Sequence, residues 1–189
     1  MSRAVVIDPP AAAAPAPGVP QEKPRGRKKI VGPKYLTEAE AAAVFSAIAK
    51  SGSARDLAIF ELVYHRGLRA SEVGMIQFDQ LRSDLKRLTF HRLKGSLGGE
   101  YILTAREQKA LQSWIRIRGK EPGPLFPSRH GRGISRRRLD ELMKIYGAAA
   151  GVPEERRHMH AWKHTCGVTL ARLGVGVEEA QDLMGHANI

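Results

Sequence analysis

The sequence predicts an α+β domain, mainly α, in which helices surround a small antiparallel β-sheet. Two observations lead there. Apolar residues recur at helical spacing in stretch after stretch from Thr37 to Leu173, and the period drops to two only between Arg87 and Leu103. A third observation sets the boundary. Residues 1–34 hold Pro9, Pro10, Pro15, Pro17, Pro20, Pro24 and Pro33 around Ala11–Ala14, a composition that cannot bury enough surface to fold. The expectation is a disordered, Pro/Ala-rich basic tail over 1–34 and one domain over 35–189. The prolines interrupt any apolar core that a signal peptide would need.

The elements follow in order. Thr37-Glu38-Ala39-Glu40 is a capping box ahead of Ala41, Val44, Phe45 and Ile48, so a helix runs to about Lys50. Ser51-Gly52-Ser53 breaks it. Leu57–Tyr64 is apolar nearly all round and predicts a central buried helix from about Ala54 to His65, ended by Gly67. A short helix then spans Arg69 to about Ile76. Leu88 and Phe90 alternate with Thr89 and His91, Gly95, Gly98 and Gly99 make a turn, and Tyr101-Ile102-Leu103 returns. A further short strand is expected near Gln80–Arg82. Helical spacing resumes at Ala105, with Leu111, Trp114, Ile115 and Arg118 on one face. The prolines between Gly119 and Gly133 make a loop. Ser135 caps a helix carrying Leu139, Leu142, Met143 and Tyr146. A last stretch, His160 to Leu173, puts Trp162, Cys166, Thr169 and Leu173 on one side, and Gly174 stops it.

Charge points to the partner. Lysine and arginine number 31 against 19 acidic residues, a net +12, the signature of a polyanion such as nucleic acid. No apolar run approaches the roughly 20 residues of a membrane span, so a membrane partner is not expected. A single cysteine, Cys166, excludes an internal disulfide framework, fits a reducing cytosol, and reads as core filler. In the tail, Lys23, Arg25, Arg27, Lys28 and Lys29 form a basic cluster that suits either a flexible arm on phosphates or a solubilising linker. Arg136, Arg137 and Arg138 load the first turn of their helix with charge of the wrong sign for the helix dipole. A nearby phosphate would account for them, and so would a solvated surface.

The stretch richest in chemistry is His160-Ala161-Trp162-Lys163-His164. His160 and Lys163 share a helix face, and His164 lies one turn from His160. A cation and imidazoles on a rigid element suit an anion such as phosphate. A helix start with ordinary polar residues would read the same way. Zinc on His158, His160, His164 and His186 is a further alternative. It is disfavoured because no glutamate stands between His160 and His164 and no cysteine pair accompanies them.

Taken together, four motifs carry a family resemblance. Gly67-Leu68-Arg69-Ala70-Ser71-Glu72 resembles the first arginine motif of the tyrosine recombinases, or phage integrases. Lys94, within His91-Arg92-Leu93-Lys94-Gly95, resembles their sheet lysine. His160–His164 resembles their His-x-x-Arg box, and Leu183-Met184-Gly185-His186 their Leu-Gly-His box. The resemblance covers about Lys34 to the end. Arg69-Ala70-Ser71-Glu72, His91–Lys94, His164-Thr165-Cys166-Gly167 and Gln181-Asp182 are most similar to the short members that invert fimbrial promoters.

The resemblance implies the catalytic-domain fold of that family and its chemistry. A tyrosine hydroxyl attacks the scissile phosphate of double-stranded DNA, leaving a 3′-phosphotyrosyl link and a free 5′-hydroxyl, with neither cofactor nor metal. Fixed cations stabilise the charge gathering on the nonbridging oxygens. It implies catalytic roles for Arg69, Lys94, His160, Lys163 and His186, with Lys94 as general acid and Glu72 supporting the active site by orienting neighbouring side chains. DNA contacts would come from Arg92, Arg136, Arg137, Arg138 and the tail cluster. It implies self-association on DNA, a tetramer in the intact family, and a cytoplasmic, nucleoid-associated protein. Two positions depart from the pattern. Lys163 stands where the family has arginine, keeping the charge and losing the planar fork. The family's tyrosine follows the Leu-Gly-His box, whereas Tyr35, Tyr64, Tyr101 and Tyr146 lie in other motifs. The expectation is therefore a chain without its nucleophile, inactive in cleavage as it stands. A non-catalytic DNA-binding protein derived from a mobile element is the alternative.

Overall fold

The computed structural model describes residues 32–90 and 99–184. Residues 1–31, 91–98 and 185–189 lie outside them, and with them most of the expected tail and the expected turn. Helix α1 (Glu38–Ser51) opens on the expected capping box, with Thr37 N donating to Glu40 Oε2 at 2.8 Å and Glu40 N donating back to Thr37 Oγ1 at 3.2 Å. Gly52, at φ 70°, ends it in the left-handed conformation that favours glycine. Ser53 then caps α2 (Ala54–Arg66).

Helix α2 is the central element. Ala58, Ile59, Phe60, Leu62 and Val63 are fully buried. It also buries Asp56, Glu61 and Arg66, and each has a partner on another helix. Tyr146 donates its hydroxyl to Asp56 at 2.7 Å. Arg106 donates to Glu61 at 2.7 Å. Arg66 grips Glu107 through both Nε, at 2.8 Å, and Nη2, and also reaches the Ile102 carbonyl.

A short helix α3 (Ala70–Val73) leads to the sheet, in which β1 (Arg87–Phe90) and β2 (Gly99–Ile102) pair antiparallel with Leu88 opposite Tyr101. Phe90 stacks on Tyr101 at 4.4 Å between ring centroids. The strand expected near Gln80–Arg82 does not form. Phe78–Gln80 is a 3-10 turn, and Leu81 makes one isolated bridge to Leu88. The chain reverses too soon for a longer ladder: Leu85 N bonds back to Arg82 O, and Leu85 takes φ 56°.

Four helices complete the domain: α4 (Ala105–Arg118), α5 (Arg136–Ala149), α6 (Met159–Arg172) and α7 (Val177–Met184). Helix α2 packs against α4 on one side and α6 on the other. The core centres on Trp162 of α6, whose ring meets Phe45 at 5.4 Å, Phe60 at 5.7 Å and Tyr64 at 5.9 Å, all edge-on. Replacing either Phe60 or Trp162 by alanine would cost about 3–5 kcal/mol. Leu173, expected on the Trp162 side, is 74% exposed, because α6 ends at Arg172 and the chain turns away through Gly174 at φ 75°. Among the described residues no helix is long and apolar enough to cross a membrane.

Candidate functional site

Three elements deliver the side chains, and backbone geometry explains why they meet. Helix α2 stops on Gly67, at φ 56°. A Cβ there would lie 3.2 Å from Met184 Cε and 3.3 Å from Cys166 Sγ, so α6 and α7 seat directly on the start of the arginine motif. Leu68 is fully buried and anchors the turn, leaving Arg69 partly open. The buried Glu72 carboxylate then accepts two bonds of 2.8 Å, one from Arg69 N and one from Arg69 Nη1. One edge of the guanidinium is fixed and the rest of its fork remains for a ligand.

Helix α5 arrives by a backbone crossing. A Cβ on Gly133 would run into the Gly74 carbonyl oxygen, and one on Gly74 into the Ile134 carbonyl oxygen. Two glycines therefore let the chain deliver Arg136 to the cavity that Arg69 lines. Helix α6 arrives with its first turn held twice. His158 caps it, its Nδ1 accepting from Ala161 N at 3.2 Å, and Asp140 of α5 accepts from Met159 N at 3.0 Å. Because Trp162 is locked in the core, His160 and His164 lie on the opposite side of α6, with Lys163 between, only 5% exposed. The His160 and His164 rings meet edge-on at 4.5 Å.

Two cavities result. One, of about 420 Å³, is lined by Arg69, Ser71, Arg136, Asp140, His158 and His160. The other, of about 560 Å³ between α6 and α7, is lined by His160, Lys163, His164 and apolar residues that include Val168 and Met184. His160 belongs to both. Burial holds the His160 imidazole below its ordinary pKa, and His164, His158, Lys163 and Arg69 push it further. Burial likewise lowers His164, with Lys34, His158 and Lys163 adding to it. Neighbouring positive charge suppresses imidazolium, so an anion is the ligand that would relieve both.

The structure thus brings Arg69, Glu72, His160 and Lys163 into one neighbourhood and adds Arg136. Arg137 and Arg138 behave differently. They pair with Glu141 at 3.1 and 3.4 Å, and neither lines the Arg69 cavity. One carboxylate, a turn away, thus serves both. Lys94, His186, Arg92, Lys23, Arg25, Arg27, Lys28 and Lys29 lie outside the described residues. Among the described tyrosines, Tyr64 packs on Trp162, Tyr101 on Phe90 and Tyr146 on Asp56, and neither cavity is lined by one. Among the described residues no three His, Cys, Asp or Glu come together as a metal site.

Sequence reasoning passed over the cap role of His158, as well as Lys34 and Asp140. A polar residue directly ahead of a helix is a cap signal, so His158 was readable. Asp140 and Lys34 act across the fold and carry no local signal.

Residues 34–189 match the phage integrase family. The chain belongs to the phage integrase family. Its relatives include the type 1 fimbriae regulatory proteins FimB and FimE of Escherichia coli K12. FimB is 32% identical over 161 residues, 82% of this chain and 80% of FimB; FimE is 30% identical over 162 residues. The tyrosine recombinase XerC of Erythrobacter litoralis is 30% identical over 172 residues, and this chain spans 56% of it. These agree with the expected likeness to the fimbrial members. The fold matches the XerA recombinase with a TM-score of 0.72 at 23% identity, over 82% of this chain and 57% of that one. It also matches the lambda integrase catalytic core with a TM-score of 0.65 at 17% identity, over 80% of this chain and 91% of that core. The phage integrase catalytic-domain fold is therefore the architecture that holds these cavities.

Proposed function

We propose that this chain is the catalytic domain of a site-specific DNA recombinase, and that the cavity between α3, α5 and α6 holds the scissile phosphate. The observation that carries the reading is that Arg69 and His160, far apart in sequence, line one cavity whose surroundings are cationic. A phosphodiester in the transition state concentrates negative charge on its nonbridging oxygens. Preorganised donors aimed at those oxygens lower the barrier without reorganising. Arg69 clamps one oxygen, with Glu72 orienting it. His160 donates to another, and Lys163 adds charge from the side. Lys94 protonates the leaving 5′-oxygen, and His186 completes the donor set. The tyrosine supplied after the Leu-Gly-His box makes the 3′-phosphotyrosyl bond, which a 5′-hydroxyl later reverses.

The wider surface fits the same reading. Arg92, Arg137, Arg138 and the 1–34 tail with its basic cluster contact the DNA backbone on either side of the site, and Arg136 contacts it at the cavity itself. XerH is known bound to its difH substrate, and this chain shares its fold with a TM-score of 0.71 at 19% identity. Strand exchange needs several active sites at one synapse, so copies assemble on DNA, and the protein works at the nucleoid.

The test has two arms. The chain through Ile189 is expected to bind duplex DNA with affinity falling steeply as salt rises. The same chain, continued by a tyrosine-bearing helix of the family type, is expected to form a covalent adduct on a nicked suicide substrate. Salt-dependent binding without any adduct would make the chain a DNA-binding module. Absence of binding at low salt would end the nucleic-acid reading.

A further inference from the structure

Lys163 is a poor clamp for a phosphate. It carries charge without a planar fork, and it is 5% exposed. A second guanidinium faces the Arg69 cavity from a different helix. We propose that Arg136 is the second phosphate-clamping guanidinium of this site, and that Asp140 is the residue that positions it. The inference rests on the reading given under Proposed function and names the group that completes it.

Arg136 is the first residue of α5, and 79% of its side chain is exposed, so the core makes no use of it. Its neighbours are otherwise engaged: Arg137 Nε and Arg138 Nη1 both reach Glu141. Arg136 alone of the three lines the cavity with Arg69 and His160. Its Nε lies 3.7 Å from Asp140 Oδ2, an ion pair too long to be a hydrogen bond. An entering anion can therefore take the guanidinium without first breaking a close contact.

Asp140 is placed to do more than balance charge. Its Oδ1 accepts from Met159 N at 3.0 Å, at the first turn of α6, while its Oδ2 faces Arg136. One carboxylate thus ties the first residue of α5 to the turn that carries His160. That sets Arg136 and His160 in register across the cavity. A phosphodiester presents two nonbridging oxygens. Arg69, one edge of which is taken by Glu72, serves one of them. Arg136 serves the other with two parallel N–H donors, and His160 adds a third direction. Lys163 and Lys34 supply background charge.

The test uses the chain itself with two probes, inorganic phosphate and a mixed-sequence duplex. Phosphate binding is read from the ring proton resonances of His160 and His158, and duplex binding from anisotropy of a labelled end. Wild type is expected to show a saturable shift at His160. Arg136→Gln and Arg136→Lys should both weaken phosphate binding roughly tenfold, the worth of one charge-assisted hydrogen bond. The lysine variant decides between fork and charge, because it keeps the charge and loses the fork. Arg116→Gln, which removes an exposed arginine from α4, is the control and should leave the His160 response unchanged. Asp140→Asn keeps an acceptor for Met159 N. It should weaken phosphate binding although it deletes a negative charge from the cavity, with an unchanged melting temperature.

Wild-type affinity in Arg136→Lys would overturn the clamp, as would an equal loss in Arg116→Gln. Tighter phosphate binding by Asp140→Asn would overturn the positioning role and leave only electrostatics. Duplex binding by wild type without any phosphate response at His160 would overturn this proposal and leave the recombinase reading standing. Failure of wild type to bind duplex at low salt would remove that reading as well.

Discussion

The two flanks of α2 handle charge in opposite ways. On the α4 side, buried charges have partners: Arg66 pairs with buried Glu107, and buried Glu61 with the more exposed Arg106 and with His65 nearby. On the α3–α5–α6 side, cations gather around a cavity, and the two carboxylates there are already committed, Glu72 to Arg69 and Asp140 to the start of α6. The same cause, a nearby positive charge, has opposite consequences. Burial pushes the Glu61 carboxyl up, but His65 at 3.3 Å and the Arg106 guanidinium outweigh it and hold the group below its ordinary value. His160 and His164 are held below theirs first by burial and then by neighbouring positive groups, Lys163 among them. A closed network is architecture. An open one is waiting for an anion.

The largest expected effect breaks the closed side. Glu107→Ala strips Arg66 of a buried partner and removes the acceptor for Thr104 N at the start of α4. Leaving one member of a buried pair uncompensated costs about 3–5 kcal/mol. For a domain of this size the melting temperature should fall by roughly 10 °C, by scanning calorimetry. Arg69→Gln is the matching change on the open side. It keeps a donor for Glu72, so it should move the melting temperature far less. It should weaken phosphate and duplex binding ten- to a hundredfold, as the loss of a charge-assisted fork would. Equal thermal losses in the two variants would erase the distinction between the flanks.

That contrast also shows what was legible in the sequence. Helix starts were readable because their causes are local: Thr37 with Glu40, Ser53 and Ser135 each satisfy backbone donors within three residues. Arg69 and His160 were readable as motif members, and Glu72 sits three residues from the group it holds. Glu107 was not readable as the partner of Arg66, since that pair joins residues 41 apart. The extra strand at Gln80–Arg82 failed because the turn at Leu85, not the local alternation, ends the pairing. Lys163 was readable as the cation of its motif, but its burial, to 5% exposed, was not. Each miss is a contact made by the fold rather than by the segment.

A smaller effect sharpens the comparison through pH. In the free protein both imidazoles titrate below the ordinary histidine value of about 6.5. An anion in the cavity stabilises imidazolium and raises them, so binding takes up protons. At fixed ionic strength, duplex affinity should rise as pH falls from 8 toward 5.5. The gain is confined between the raised bound value and the depressed free one. Stability should move the other way. The unfolded state binds more protons than the folded one there, so what these histidines contribute is complete above about pH 6.5 and is lost as pH falls through their folded values. Duplex affinity flat across that range would mean that neither imidazole senses the bound phosphates.

The smallest expected effect concerns Arg137 and Arg138, which belong to neither flank. Both pair with Glu141 on the open surface, and their hydrogen bonds, Arg137 first, lower its carboxyl below the usual range. Exposed pairs of this kind are screened by solvent and cost side-chain entropy to hold. The same two arginines sit at the positive end of the α5 dipole, where their charge is unfavourable. Removing them relaxes one penalty while losing one weak gain, so Arg137→Gln with Arg138→Gln should leave the melting temperature unchanged within error. Binding is where they should register. If each touches a backbone phosphate, the double variant lowers the slope of log affinity against log salt by about two, equally for every duplex sequence. An unchanged slope would show that pairing with Glu141 is their whole role, and that α5 presents Arg136 alone to the DNA.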